Sequence, residues 1–298
     1  MNDVLVSISC LTYNHAPYIR QCLDGFMMQQ CDFGFEVLIH DDASTDGTQK
    51  IIREYETKYP DIIKPLLQTE NQFSRGSRGI MMRRFNFPRA RGKYIALCEG
   101  DDYWTDPRKL QKQVDFLETH EDVSLCFHNA LMVYEDGGSL RQPFQNLGNR
   151  EYSGAEILRH WTIPTASVVF RRENYVMHHS PNNFFGDIIL FLTLAEKGKL
   201  WCLDETMSAY RRHRGGLSYM ERNAFLSCDP KILKHYEEIG KNFGGKYKGV
   251  ACELINDLYL KMAIEQFRHM NFRFIRSLFL CFRDDPRLCL KNIKSRFI

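Results

Sequence analysis

The sequence predicts an α/β protein with a mostly parallel central sheet, helices on both faces of that sheet, and a helical C-terminal extension. Three observations lead to this prediction. Apolar runs alternate with helix-like stretches of about a dozen residues through roughly the first two hundred positions. Polar residues collect directly after several of the apolar runs. From about Glu221 onward, strand-like runs disappear and helical stretches dominate.

Seven apolar runs are predicted to be strands, because they are short and rich in β-branched and aromatic residues. In chain order they are residues 4–11, 35–40, 63–68, 94–98, 124–133, 166–170 and 200–203. Helical stretches separate the earlier runs. Such alternation is typical of βαβ units, in which neighbouring strands run parallel.

Six stretches are predicted to be helices from apolar residues that recur at helical spacing. They are residues 17–29, 48–58, 107–118, 188–196, 250–269 and 272–282. Pro17 and Pro107 lie in the first turn of their helices, where proline is tolerated. Gly198 follows the fourth helix and is a typical stop signal.

The predicted organisation has an α/β domain at 1–218, divided into halves at 1–105 and 106–218, and a helical region at 219–298. The basic surplus belongs to the tail, since 261–298 contain nine Lys and Arg against three acidic residues.

Composition excludes several classes of protein. Apolar residues make up 44% of the 298 and charged residues 26%, which is typical of a globular chain rather than a disordered one. The net charge of +3 does not favour nucleic-acid binding. The ten cysteines show no CxxC pair, so we expect reduced core residues in a cytoplasmic protein. The N-terminus has no signal-peptide pattern, and no apolar run is long enough to span a membrane.

Polar residues follow three of the predicted strands. In a parallel sheet, the loops after the carboxyl ends of strands form the ligand crevice. The residues expected there are Thr12, Tyr13, Asn14, Asp41, Asp42, Glu99, Asp101 and Asp102.

The acidic turn Glu99-Gly100-Asp101-Asp102 is a candidate metal site. Three carboxylates within four residues repel one another and need a cation, for which Mg²⁺ or Mn²⁺ is suited. The alternative is a helix-capping loop before Pro107, with its carboxylates near a helix N-terminus.

The loop at 40–48 offers two kinds of carboxylate. Asp46 is a candidate helix cap for the stretch that begins at Thr48. Asp41 lies directly at the strand end with no such helix to cap. It is therefore a candidate to accept hydrogen bonds from a nucleobase or a ribose.

Three ordered motifs together resemble family 2 glycosyltransferases, which have the GT-A fold. They are VSISCLTYN at 6–14, VLIHDDASTDGT at 37–48 and GKYIALCEGDDYW at 92–104. The resemblance covers roughly residues 4 to 215. It implies that 1–218 form a catalytic domain, with its nucleotide-binding half at about 1–105 and its acceptor half at about 106–218. It implies an inverting enzyme that uses a nucleotide diphosphate sugar and Mn²⁺ or Mg²⁺.

The resemblance also implies roles for individual residues. Thr12, Tyr13 and Asn14 would line the nucleotide pocket, and Asp41 would hold the base, uracil, with Asp42 beside it. Glu99 and Asp101 occupy the acidic positions of the family's DxD motif, with Gly100 and Asp102 also at the nucleotide. Glu at the first position departs from the pattern and leaves the ribose contact there less secure. Asp101 is the preferred metal ligand.

Further candidates follow later in the chain. Asp187 resembles the family's catalytic base at the start of a helix, the alternative being a plain N-cap. His213 is a candidate metal or diphosphate ligand, and Arg211 is a candidate phosphate contact. Arg78 is a candidate nucleotide contact, the alternative being a solvated surface arginine.

The C-terminal stretch FRFIRSLFLCFR at 272–283 mixes aromatic residues with arginines. Two interpretations stay open. A helix there would lie at the inner face of the cell membrane, with its arginines at anionic headgroups. Alternatively, it packs on the catalytic core with its arginines in solvent.

The sequence thus predicts a glycosyltransferase that acts on a hydroxyl of a glycan or lipid-linked acceptor in cell-surface polysaccharide synthesis. Two rivals remain: a sugar-nucleotide nucleotidyltransferase, and a non-catalytic nucleotide- or glycan-binding module. The first rival needs a glycine-rich phosphate loop after the first strand, where this chain has LTYNHAPYI. The sugar, the acceptor, the linkage and the oligomeric state are not encoded in any recognisable motif.

Overall fold

The computed structural model describes residues 3–77, 79–135, 142–176, 184–216, 230–268 and 272–297. These residues form two compact units. One holds the described residues within 1–178 and 186–213, and the other those within 179–185 and 214–298. The predicted domain boundary at 218 lies outside the described residues.

The first unit is built on a mixed sheet of ten strands, counted over the described residues. In chain order they are β1 (Val4–Thr12), β2 (Gly34–Asp41), β3 (Ile63–Leu67), β4 (Tyr94–Leu97), β5 (Tyr103–Trp104), β6 (Val123–Tyr134), β7 (Gln142–Pro143), β8 (Arg150–Tyr152), β9 (Val169–Arg171) and β10 (Lys199–Arg212). The sheet order is β3-β2-β1-β4-β9-β6-β10-β5, with β7 beside β6 and β8 beside β10. Strands β3, β2, β1 and β4 are parallel, and so are β6 and β10, whereas β9 is antiparallel to both of its neighbours.

Nine helices flank or follow the sheet in the part of the chain described here. They are α1 (Ile19–Met27), α2 (Thr48–Lys58), α3 (Lys109–Thr119), α4 (Gly154–His160), α5 (Gly186–Ala195), α6 (Pro230–Lys241), α7 (Lys248–Arg268), α8 (Phe274–Asp284) and α9 (Pro286–Phe297). Helices α6 to α9 belong to the second unit. Within 3–77, 79–135, 142–176, 184–216, 230–268 and 272–297, no helix has the length and hydropathy needed to cross a bilayer.

The central strands are buried on both faces, as a parallel sheet between helices requires. Val6, Ile8 and Cys10 of β1 are completely buried in the main core. Asn86 is also buried, and its amide donates to the Ser9 hydroxyl and to the carbonyls of Cys10 and Leu38. This side chain therefore ties β1 to β2 close to the ends where both strands stop.

Three predicted elements illustrate how the predicted bounds differ from those in the structure. The helix predicted at 17–29 begins at Ile19 and ends at Met27. The strand predicted at 166–170 begins only at Val169, after a short helical turn at Thr165–Ser167. The largest error concerns the last strand, since β10 continues to Arg212 instead of ending at residue 203.

The extra length of β10 comes from pairing rather than from apolar residues. Two register shifts, at 203–206 and 206–208, let its polar middle stay beside β6, and the strand then pairs with β5 at Ser208 and Ala209. Polar residues within a run hide a strand from a search for apolar residues. This continuation carries β10 to the candidate site.

Candidate active site

The polar strand ends of β1 and β2 lie side by side. Thr12 is the register partner of Asp41, and the Asp42 amide donates to the Thr12 carbonyl at 3.0 Å. Beyond the strands, the Asn14 amide donates to the Ser44 hydroxyl at 2.8 Å, and the Asn14 side-chain oxygen accepts from the Thr45 amide. Asn14 has a positive φ of 54°, a conformation that asparagine adopts more readily than most residues. The two loops therefore form one hydrogen-bonded rim.

The side chains of Asp41 and Asp42 accept hydrogen bonds from the loops around this rim. Asp41 is completely buried and accepts hydrogen bonds from the amide and hydroxyl of Ser44 and from the Gln49 amide group. Asp42 accepts from the backbone amides of Gln72 and Phe73, and so holds the segment that follows β3. Both carboxylates shape the loops, and a nucleotide contact by either of them stays a prediction.

Gly100 allows the acidic turn to cross the end of β1. Its amide donates to the Leu11 carbonyl at 2.8 Å. A Cβ at this position would lie 2.8 Å from both Cβ and Oγ1 of Thr12, closer than real Cβ contacts allow. The Thr12 hydroxyl is buried beside Gly100 and has no hydrogen-bond partner among the residues that the structure describes. Close approach of these two strand ends places the next residue, Asp101, above β1.

Asp101 meets two imidazoles from different parts of the chain. His213, just after β10, has its Nε2 3.1 Å from Oδ2 of Asp101, and Nε2 of His15, just after β1, lies 3.8 Å from the same oxygen. One donor atom from each residue fits within 4.8 Å of the others. We call His15, Asp101 and His213 the imidazole–carboxylate cluster. Among the described residues it is the one group of three such side chains placed to hold a metal ion.

Burial and charge favour the protonation states in which this cluster can bind a metal ion. Burial lowers the pKa of His15 below its ordinary value, although the charge of Asp101 opposes part of that effect. His15 is therefore neutral near pH 7, with a lone pair available. Burial by itself would raise the pKa of Asp101, but His15 and the hydrogen bond from His213 hold it below the usual range. A carboxylate with two imidazoles is a donor set that suits Mn²⁺ or another transition metal better than Mg²⁺.

Asp102 and Arg211 hold the acidic turn against β10. The Arg211 amide donates to Oδ1 of Asp102 at 2.8 Å, and its Nε donates to the Asp101 carbonyl at 2.7 Å. The guanidinium also donates to Gln21 and lies 4.9 Å from the ring centre of Tyr18. Burial, followed by the charge of Asp101, raises the pKa of Asp102 well above its ordinary value. These two residues position Asp101, and their predicted contact with a nucleotide stays a prediction.

Tyr18 closes one side of the cluster. Its ring centre is 4.6 Å from that of His213, and its hydroxyl donates to the Glu135 carboxylate at 2.6 Å. Burial and this hydrogen bond raise the pKa of Tyr18 to about 12. The phenol therefore stays protonated and fixes the orientation of the His213 ring from one side.

Asp187 lies in the first turn of α5, outside the imidazole–carboxylate cluster. Its Oδ1 accepts from the Ile188 amide at 2.9 Å, and burial raises the pKa of its carboxyl. Gly186 precedes it, and a Cβ there would lie 2.1 Å from the Gly79 carbonyl. The start of α5 is thus packed against the segment after β3. A raised pKa makes this carboxylate a stronger base than an exposed aspartate.

The structure brings together Thr12, Gly100, Asp101, Asp102, Arg211 and His213 of the predicted site residues. Tyr13 lies beside them with 46% of its surface exposed, and Glu99 is half-buried at the start of the acidic turn. Arg78 lies outside the described residues. His15 was not predicted, although a signal was available. It is the residue next to the three predicted for the nucleotide pocket, at the carboxyl end of a buried strand, and imidazole is a common metal ligand.

A mostly parallel sheet with a carboxylate and imidazoles at its strand ends is typical of α/β proteins whose ligand crevice lies at the carboxyl edge of the sheet. The chain belongs to glycosyl transferase family 2. The model of that family matches residues 7–178, which is more than half of the chain.

Two relatives illustrate the range of similarity. An uncharacterised protein of Mycobacterium tuberculosis is 40% identical over 223 residues, which cover 74% of this chain and 63% of the relative. The chain thus spans less than two thirds of the length of that relative. The UDP-Glc:alpha-D-GlcNAc-diphosphoundecaprenol beta-1,3-glucosyltransferase WfaP of Escherichia coli is 28% identical over 215 residues, which cover 72% of this chain and 80% of WfaP.

The fold has a counterpart among solved structures. TarS of S. aureus, crystallised in complex with UDP-GlcNAc, superposes with a TM-score of 0.63 over 96% of this chain and 83% of that one. The sequence identity is 16%, so this likeness shows the fold alone. It confirms the predicted GT-A fold, and the family match confirms the resemblance that the three sequence motifs indicated.

Proposed function

We propose that this chain is a metal-dependent, inverting glycosyltransferase. It would transfer a sugar from a nucleotide diphosphate sugar, with UDP as the preferred carrier, to a hydroxyl of a glycan or lipid-linked acceptor. The observation that carries the proposal is the imidazole–carboxylate cluster at the strand ends, beside a turn in which Gly100 packs closely against Thr12. Family membership supports the reaction class. The names of WfaP and TarS support a UDP-linked donor and a role in cell-surface polysaccharide synthesis.

His15, Asp101 and His213 are the residues that would hold the divalent ion. Their donor set fits Mn²⁺, since it combines one ionised carboxylate with two imidazoles, one of them held neutral by burial. A bound divalent ion supplies positive charge that stabilises a departing nucleoside diphosphate. Arg211 and Asp102 would keep Asp101 at the ion by fixing the turn to β10.

Thr12, Tyr13 and Asn14 would form the nucleotide side of the pocket. The exposed ring of Tyr13 offers a stacking surface for a base, and the buried Thr12 hydroxyl has no partner within the described part of the chain. Asp41 has one oxygen that already accepts two hydrogen bonds and one that accepts a single bond. A base contact by Asp41 would therefore use Oδ2, which accepts from the Ser44 hydroxyl, while Asp42 would act through the loop it holds.

Asp187 would act as the general base that takes the proton from the acceptor hydroxyl. Its raised pKa supports this role, because a carboxylate that binds its proton more tightly is a better proton acceptor. A carboxylate fully engaged as a helix cap would instead have a lowered pKa. The Ile188 amide donates to Oδ1 of Asp187, yet burial outweighs this bond and the pKa stays raised.

Three Asp→Asn variants test the proposal. Asp101→Asn is expected to weaken Mn²⁺ binding by at least about tenfold, measured by electron paramagnetic resonance of free Mn²⁺, and to abolish release of UDP from the donor. Asp187→Asn should keep Mn²⁺ binding and the donor-induced rise in melting temperature, but lower transfer by at least about 10²-fold. Asp115→Asn, on the exposed side of α3, is the matched control and should behave like the parent.

The donor is identified by melting-temperature shifts with UDP-, GDP- and dTDP-sugars in the presence of Mn²⁺. Formation of pyrophosphate from UTP and a sugar 1-phosphate would instead establish the nucleotidyltransferase. Donor binding without any Mn²⁺-dependent hydrolysis or transfer would establish a binding module. Full transfer activity in Asp187→Asn would remove that residue from the mechanism.

A further inference from the structure

Helix α8 leaves a row of large apolar side chains uncovered. Phe272, just before the helix, is 80% exposed, and Ile275 and Phe279 are 58% and 64% exposed. Their spacing of three and four residues puts them on one side of the helix. We call these three residues the aromatic face. Exposed apolar side chains that form a contiguous patch mark a binding surface, whereas scattered ones are common on any protein.

The opposite side of α8 is fixed within the second unit. Ser277 donates to the Gln266 side chain of α7, and the Cys281 carbonyl accepts from the amide of Asn256, also in α7. Leu278 and Phe282 pack against a buried core of Leu260, Cys281 and Cys289. The rotation of the helix about its axis is thereby set, and it turns the aromatic face away from this core.

Basic residues adjoin the aromatic face. Arg276 is exposed and lies one turn before Phe279, and Arg283 is exposed and lies one turn after it. The wider segment 261–298 contains nine Lys and Arg against three acidic residues. An uncovered apolar stripe bordered by arginines matches the arrangement of helices that lie in the interface of anionic membranes.

We propose that the aromatic face binds the surface of an anionic phospholipid bilayer. Helix α8 lies parallel to the bilayer, with Phe272, Ile275 and Phe279 among the acyl chains and Arg276 at the lipid phosphates. Its 11 residues give a length of about 16 Å, far short of the roughly 30 Å of a hydrocarbon core, so it binds along the surface rather than across it.

A second copy of the chain is the rival occupant of this face. A symmetric contact through α8 would bring the arginines of both copies together, since the same patch meets itself in such a dimer. The acidic residues in the segment, Glu265, Asp284 and Asp285, are too few to balance them. An anionic bilayer supplies the opposite charge over the whole surface, which is why lipid is the favoured partner.

Lipid binding deepens the proposed function, because it would hold the enzyme where a lipid-linked acceptor is found. That benefit rests on the proposed function, but the binding itself does not. Vesicle binding can therefore be measured without any donor or acceptor. Binding of Mn²⁺ and of nucleotide sugar can be measured without vesicles, so the two proposals fail independently.

The test is co-sedimentation of the full chain with vesicles at low salt. Vesicles of equal parts phosphatidylglycerol and phosphatidylcholine should bind the chain at least tenfold more tightly than vesicles of phosphatidylcholine alone. The double substitution Ile275→Ser with Phe279→Ser should lower binding at least tenfold, and Arg276→Gln should lower it by about fivefold. Val176→Ser and Lys50→Gln, at exposed positions of the first unit, should leave binding unchanged.

Circular dichroism and the urea unfolding midpoint of each variant show whether it is folded. Arg276→Gln keeps Phe272, Ile275 and Phe279, so it tests the charge even if the double variant unfolds. The proposal is overturned if the parent chain does not bind anionic vesicles, or if the folded double variant binds as well as the parent. It is also overturned if sedimentation velocity reveals a dimer that the double variant disrupts, since the face would then belong to a second copy.

Discussion

At position 100, the absence of a Cβ atom determines the geometry of the site. The Gly100 amide bonds to the end of β1 while its Cα lies against Thr12. The same crossing carries Asp101 to His15 and His213. Backbone geometry and metal-ligand geometry are thus linked through one residue.

Gly100→Ala is expected to damage stability and metal binding together. The new Cβ would lie 2.8 Å from two atoms of Thr12, so either the turn or the strand end must move. Overpacking of this kind lowers the free energy of unfolding by about 1–3 kcal/mol, which is a drop of several degrees in melting temperature. Mn²⁺ affinity should fall as well, because Asp101 is the next residue.

Gly148→Ala is the control for this substitution. Nothing lies within 4 Å of the Cβ that it would add. Its melting temperature and Mn²⁺ affinity should match those of the parent. If Gly100→Ala kept both properties, the close packing of the turn against β1 would not be needed to form the site.

The residues of the site differ in how far the sequence could predict them. Asp101 could be predicted because clustered carboxylates directly after a buried strand repel one another unless a cation lies between them. The contacts of Asp42 could not be predicted, because it accepts from the backbone amides of Gln72 and Phe73. These residues lie about thirty positions further along the chain. Arg211 was expected at a phosphate, yet its Nε bonds to the Asp101 carbonyl. Residue type indicates what a side chain can bind, and only packing decides which partner it reaches.

Helix α3 buries a lysine, although its sequence pattern places that lysine at the surface of the helix. Lys109 lies in its first turn and is completely buried. Its ammonium is 4.1 Å from the ring centre of Trp104, and it donates to the Gln113 side chain at 2.7 Å. Burial lowers the pKa of Lys109 to about 7. Strand β10 shows a different error. Its polar residues kept the part of the strand after residue 203 from being predicted.

Lys109→Met should change how stability depends on pH. In the unfolded chain a lysine holds its proton up to about pH 10.4, whereas folded Lys109 loses it near pH 7. Between these values the unfolded state binds more protons, so Lys109 makes stability rise with pH by at most about 1.4 kcal/mol per unit. Methionine, of similar size, removes this contribution. The variant should therefore gain stability relative to the parent most strongly at pH 7 and progressively less toward pH 10.

Urea unfolding of both proteins at several pH values measures this difference. Lys50→Met, at an exposed position of α2, is the control and should show a constant difference from its parent across the range. The lost bond to Gln113 adds an offset to Lys109→Met that does not depend on pH, so the slope rather than the absolute value is decisive. A difference that stays flat between pH 7 and 10 would show that Lys109 is not deprotonated in the folded protein.

At the scale of the molecule, the alternation of β1 to β4 with helices was predictable, and the C-terminal half only in outline. Alternating strands and helices specify a parallel sheet almost by themselves, because few connections satisfy that order. The C-terminal sequence predicts helices, but periodicity does not say how α7, α8 and α9 pack. That packing depends on contacts such as the one between Leu260, Cys281 and Cys289, which no spacing reveals.

The cysteines offer a test of the whole chain, since they are distributed through both units. The nine described cysteines are free thiols, and seven of them are buried. Cys252 is exposed, and burial raises the pKa of the half-buried Cys31 to about 11, which leaves little of its reactive thiolate at neutral pH. In a Cys228→Ser background, Ellman's reagent should modify one thiol rapidly in the native protein and nine in denaturant.

Cys252→Ser in the same background should remove the rapid phase and leave eight thiols in denaturant. The buried thiols should then react only at the rate of unfolding, because their sulfur atoms are enclosed by packed side chains. Fewer than nine thiols in denaturant without reductant would reveal a disulfide and contradict the interpretation of these cysteines as reduced core residues. Rapid modification of several thiols in the native state would show that the cores around them open far more readily than their packing indicates.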